Sequence, residues 1–190
     1  MWEGSISKAN TYLSDESKDG LWYGHADMTT GKRSSTTTGA LDAFFPAIIA
    51  LDGDLNRARA LQDSMFKMWE LNHIEPEVYN YKTGIVEHAG YPLRPEIVES
   101  TYYLYHFTKD PKYLSMGKEM WEDFVKYCRT EDAYAGLKSV VTKEKTDYMH
   151  SFLFAETLKY FYLLFAREKT LDLKQVVFNT EAHPIRRTWK

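Results

Sequence analysis

Along the chain, three segments are apolar on nearly every side and two are apolar on one side only. The first kind comprises "ALDAFFPAIIALD" (40–52), "PEIVESTYYLYHFT" (95–108) and "YMHSFLFAETLKYFYLLF" (148–165). The second comprises "DLNRARALQDSMFKMWEL" (54–71) and "PKYLSMGKEMWEDFVKYC" (111–128), whose apolar residues recur with a helical period. A helix that is apolar all round is buried, and an amphipathic one lies outside it. The pattern therefore predicts an all-α fold of two concentric helix layers, the first kind inner and the second outer. Asp52-Gly53-Asp54 and Lys109-Asp110-Pro111 supply the turns between partners. Stretches 14–38, 72–93 and 129–146, and the tail from about 167, read as loops.

The helices echo one another. Glu99-Ser100, Tyr103 and Tyr105 recur as Glu156-Thr157, Tyr160 and Tyr162, a shift of 57 (156 minus 99). Asp54 recurs as Asp110, a shift of 56. A repeat of this length, one helical hairpin per unit, implies stacked hairpins or a closed toroid.

That layering makes two acids conspicuous. Glu96 and Glu99 share one side of a helix that is otherwise apolar, and an unpaired carboxylate there costs free energy. Pro95 suits the first helical turn, so Glu96 sits at the positive end of the helix dipole with Arg94 beside it. The residues alone allow either a charged base at a cavity mouth or a capping glutamate worth about 0.3–1 kcal/mol. Glu77, after Pro76 in "EPEVYN", is either a second cavity-mouth acid or a solvated loop residue.

Composition narrows the classes. The 190 residues suffice for one domain with a sizeable core. Lys and Arg number 24 against 27 Asp and Glu, well interspersed, which argues against nucleic acid or a basic membrane-binding face. Aromatics reach 15%, enough to build a helical core and still offer ring faces to carbohydrate. Cys128 is the sole cysteine, so no disulfide forms within these residues. No apolar run approaches membrane-spanning length, and "MWEGSISKANTYL" shows no charged-then-apolar leader pattern. His25, His73, His88, His106 and His183 lack zinc spacing, and "KRSSTTTG" lacks a phosphate-loop context.

The stretch "YPLRPEIVESTYYLYHFTKDPKYLSMGKEMW", followed by "MHSFLFAETLKYFYLLFA" and "VVFNTEAHP", resembles the class I α-mannosidases, glycoside hydrolase family 47. The segment "ALDAFFPAIIALDGDLNRA" looks most like the branch of ER degradation-enhancing α-mannosidase-like proteins. The resemblance covers about residues 20–185. It implies that residues 1–190 are a single C-terminal portion of an (αα)7 barrel catalytic domain. Also implied are a calcium ion in the barrel and inverting hydrolysis of α-1,2-linked mannose on high-mannose N-glycans of misfolded glycoproteins. The compartment would be the endoplasmic reticulum lumen, with an oxidoreductase as partner.

By resemblance, Glu96 matches the family's base and Glu77 an upstream glutamate assigned an acid role. Thr180 matches the threonine that ligates Ca2+ through its hydroxyl and carbonyl oxygens. Arg94, Glu99, Phe152, Glu156 and Glu181 match residues around the sugar, with the carboxylates reaching the hard cation mainly through water. An inverting pair of carboxyls stands about 6.5–9.5 Å apart, leaving room for that water.

The chain departs from the family pattern in three places. An early Glu-Ser/Thr-Thr-Ile-Arg type motif and a catalytic aspartate region have no counterpart. Gly39-Ala40-Leu41 lacks the polar residue common before the leucine, and His150 stands where an acid is usual. His150 brings a group whose charge changes near neutral pH. An enzyme part, a non-catalytic calcium-dependent mannose-binding lectin of the same fold, and a helical adaptor all remain open.

Overall fold

The structure, a computed structural model, describes residues 2–17, 19–167 and 170–189. Its frame is a set of helical hairpins built around one central helix. Helix α1 spans Trp2–Tyr12, α2 Phe45–Asp52, α3 Leu55–Glu70, α4 Glu96–Thr108, α5 Lys112–Cys128 and α6 Leu158–Phe165. Helix α2 is entered through a 3-10 turn, Ala40–Phe44, and α6 through a π-helical turn, Leu153–Thr157.

The predicted turns work as their residues require. Gly53 closes α2 in the left-handed conformation at φ 98°, where a side chain is disfavoured. Asp54 then caps α3, its carboxylate accepting the Arg57 N–H at 3.0 Å. At the second turn Lys109 takes the left-handed position, and Asp110 accepts the Lys112 N–H at 3.0 Å.

Helix α4 packs against α2, α3, α5 and α6. It buries Ile97, Val98, Ser100, Thr101, Tyr102, Tyr103 and Leu104, and only Phe107 is fully exposed. Helix α3, by contrast, turns Asn56, Ala60, Lys67 and Glu70 to solvent. By their contacts α2, α4 and α6 form one row, backed by α3 and α5, but the expected order of burial holds only for α4, since α6 is more exposed than α3. Polar bolts hold the rows together. The Ser100 hydroxyl donates to the Ala43 carbonyl at 2.6 Å and accepts the Ala47 N–H at 3.3 Å. Gln62 on α3 donates to Thr101 at 2.9 Å, satisfying part of a buried amide.

Three further expectations need correction. The fold is not all-α, because the stretches read as loops carry short strands. These are β1 (Ser14–Ser17), β2 (Gly20–Tyr23), β3 (His25–Ala26), β4 (Arg33–Ser35), β5 (Thr37–Gly39), β6 (Val78–Asn80), β7 (Ile85–His88), β8 (Val176–Phe178) and β9 (Pro184–Arg186). They pair antiparallel as β1-β2, β3-β4, β5-β6-β7 and β8-β9. Strands of two to four residues are too short for a period of two to show in sequence. Helix α1 was also not foreseen. Finally, the segment 148–165 becomes helical only from Phe152, since Tyr148–His150 run as irregular chain.

Candidate active site

Glu77, Arg94 and Glu96 are brought together by a small sheet meeting the start of α4. Glu77 immediately precedes β6; its N–H donates to Gly90 at 2.9 Å and its carbonyl accepts from Ala40 at 3.1 Å. The loop into α4 is fixed by paired backbone bonds between Tyr91 and Leu137, of 2.9 and 2.7 Å, and by Leu93 at φ 70°. Arg94 then closes a bidentate pair on Glu77, Nε to Oε1 at 2.8 Å and Nη2 to Oε2 at 3.0 Å. Its guanidinium lies 5.9 Å from the centre of the Phe152 ring.

Glu96 opens α4, yet burial outweighs the helix end. Desolvation pushes its pKa up to about 7, against the opposing pull of its own backbone hydrogen bond and of Arg94. Its Oε2 is buried without a hydrogen-bond partner. One turn on, burial likewise raises Glu99 to about 7, although the Tyr160 hydroxyl donates to it at 2.8 Å. Glu156 is raised by burial and then by Glu181, with Lys159 and His183 opposing. Each acid thus feels the next, in a line from Glu96 through Glu99 and Glu156 to Glu181.

Thr180 and Glu181 lie exposed in the turn between β8 and β9. The Asn179 side chain shapes that turn, accepting the N–H groups of Glu181 at 3.1 Å and His183 at 2.9 Å. Lys159 on α6 ties it to the helix row by donating to the Ala182 carbonyl at 2.6 Å. Among the described residues no three His, Cys, Asp or Glu side chains converge as a metal cage.

Sequence reasoning missed Glu75. It is fully buried between Ile74 and Pro76, and neither carboxyl oxygen has a partner. Burial first, then the charges of Glu96 and Glu77, hold its proton affinity far above the usual range. The Glu-Pro-Glu spelling was the available signal, since it places two acids at one bend. Cys128, in contrast, is buried among apolar neighbours, and that burial pushes its thiol up to about 12.

Carboxyls of raised proton affinity beside an arginine and an aromatic ring are groups that acid–base chemistry can use. Residues 1–187 match the sequence profile of glycosyl hydrolase family 47, and the chain belongs to that family. It is 37% identical over 180 residues to alpha-mannosidase I MNS5 of Arabidopsis thaliana, covering 93% of this chain and 31% of that protein. It is 40% identical over 146 residues to the human ER degradation-enhancing alpha-mannosidase-like protein 3, covering 76% of this chain and 16% of that one. The alpha-1,2-mannosidase from Trichoderma reesei superposes with a TM-score of 0.85 at 28% identity, over 97% of this chain and 46% of that structure. The chain therefore spans a third or less of these two relatives, and under half of the solved mannosidase.

Proposed function

We propose that the chain is the C-terminal part of the catalytic barrel of an inverting, calcium-dependent α-1,2-mannosidase. Its substrate is terminal α-1,2-linked mannose on high-mannose N-glycans of misfolded glycoproteins in the endoplasmic reticulum lumen. The observation that carries this is the Glu77–Arg94 pair set beside Glu96, with the partly buried Glu99 and Glu156 beyond it. The names of the relatives support the pathway, through ER degradation-enhancing proteins of yeast and human.

In this reading Glu96 is the base. A carboxylate raised to about 7 is a stronger proton acceptor than an ordinary one, and is still partly ionised near neutral pH. It holds the water that attacks the anomeric carbon and takes that water's proton. Arg94 orients sugar hydroxyls and Phe152 offers a ring face. Both oxygens of Glu77 accept from Arg94, so in the resting site Glu77 aims the guanidinium. It can protonate a leaving oxygen only once a bound sugar has taken over that guanidinium. Thr180 would hold Ca2+, with Glu96, Glu99, Glu156 and Glu181 approaching through water. When bound, the ion supplies positive charge that orders sugar hydroxyls and water.

The test is release of free mannose from a high-mannose oligosaccharide by the complete protein. Glu96→Gln should lower the rate by at least about 100-fold while leaving the fold intact. Calcium-dependent binding with no release from the unmodified protein would select the lectin reading instead.

A further inference from the structure

The segment leading into α6 carries an aromatic ladder that runs outward from Phe152, through His150 to Tyr148. Tyr148 and His150, in irregular chain, and Phe152, at the start of the helical turn, bring their rings together in one stack. Their rings run nearly parallel: Tyr148 to His150 at 6.2 Å and 12°, His150 to Phe152 at 5.0 Å and 10°. The inner end is anchored to the pocket, since Phe152 lies under the Arg94 guanidinium that grips Glu77. The strip itself is tied to the same framework. Gly136 donates to the Tyr148 carbonyl at 3.0 Å, beside the Tyr91–Leu137 bridge that positions Arg94. The outer end is open: Tyr148 is 69% exposed, and among the described residues no second ring or cation stacks on it.

Stacked rings with solvated faces are stiff and already ordered, so a ligand loses little by docking on them. What fits is decided by their chemistry. A flat π face attracts the polarised C–H edge of a pyranose, while the phenol and imidazole tips can bond its hydroxyls. We propose that Tyr148, backed by His150, is an outer sugar-binding platform for a second or third hexose of an oligosaccharide whose terminal residue occupies the Glu96 pocket. This rests on the mannosidase reading above and adds to it a preference for longer glycans.

The test uses calorimetric binding to the complete protein carrying Glu96→Gln, so that ligand is not consumed. Two probes are compared, α-1,2-mannobiose and a high-mannose oligosaccharide. Tyr148→Ala should weaken the oligosaccharide about tenfold and the disaccharide less than about twofold, while Tyr148→Phe should retain both. No loss for the oligosaccharide, equal loss for both ligands, or a Tyr148→Phe variant as weak as Tyr148→Ala would each overturn the platform alone. If the protein without the Tyr148 change binds neither sugar, the mannosidase reading falls and the platform falls with it.

Discussion

Glu75 shows what a single residue can cost. Its carboxyl is buried beside two other acids, and no hydrogen bond compensates for the water it gave up. Such a group is held neutral. Glu96 and Glu99 behave alike in kind, with folded pKa values of about 7 against an ordinary 4.5. A carboxyl whose pKa is raised on folding binds its proton more tightly in the folded state than in the unfolded one. The stability it contributes is therefore full below about pH 4.5 and is lost as pH rises through about 7. Urea unfolding in a chelator should show stability falling between pH 5 and 8. Glu75→Leu, similar in volume, should raise stability by about 1–3 kcal/mol and flatten that decline. A destabilised Glu75→Leu protein would mean the carboxyl has a partner that the geometry does not reveal. The sequence spoke unevenly at this scale. Glu96, Glu99 and Glu156 were legible because acids inside apolar helices break a strong pattern. Glu75 was not, because beside a proline in an apparent loop an acid breaks no pattern.

At the scale of elements, the 57-residue echo has a physical counterpart. Ser100 reaches back to Ala43, 57 residues earlier, and its hydroxyl is the bolt between α4 and the start of α2. Its echo, Thr157, also donates to a backbone carbonyl, but of Leu93 in the loop before α4, 64 residues earlier, at 2.7 Å. The recurring Glu–Ser/Thr pairs thus couple a structural residue to a functional one. The hydroxyl seats each inner helix, and the preceding acid then faces its neighbours. Ser100→Ala removes both contacts in a fully buried setting, and should cost about 1–3 kcal/mol in urea or thermal unfolding. Because the bolt sits one residue past Glu99, the pH of half-maximal activity should also shift. An unchanged midpoint of unfolding would show that the echo is only a trace of duplication. Helices α3, α4 and α5 were legible because their period runs over three or more turns. The sheets were not, since β5, β6 and β7 are each three or four residues long, and β5 is set by pairing with distant chain, Thr37 opposite Asn80.

At the scale of the whole molecule, α6 is the telling element. It belongs to the inner row, yet its Tyr162 is 63% and its Phe165 50% exposed, as is Phe154, at 62%, in the π-helical turn before it. A helix apolar on every side needs cover on every side, and within this chain only one side has it. A recess of about 810 Å³ opens beside it, lined by Tyr103, Phe107, Leu163, Val177 and Phe178, toward the end of α4 away from Glu96. The solved mannosidase holds more than as much again of polypeptide, since the match covers 46% of its chain. Completing hairpins would cover these surfaces and hold the sugar from its other side. An inverting reaction needs acid and base on opposite faces of one bound sugar, and a positional error near 1 Å can cost about 100-fold. The isolated 190-residue chain should therefore bind a hydrophobic dye, self-associate, and release mannose from α-1,2-mannobiose only very slowly. Supplying the rest of a family 47 barrel should abolish dye binding and restore turnover. Brisk calcium-dependent release by the 190 residues alone would show that Glu77, Arg94 and Glu96 form a sufficient site, and that the exposed face of α6 serves some other partner.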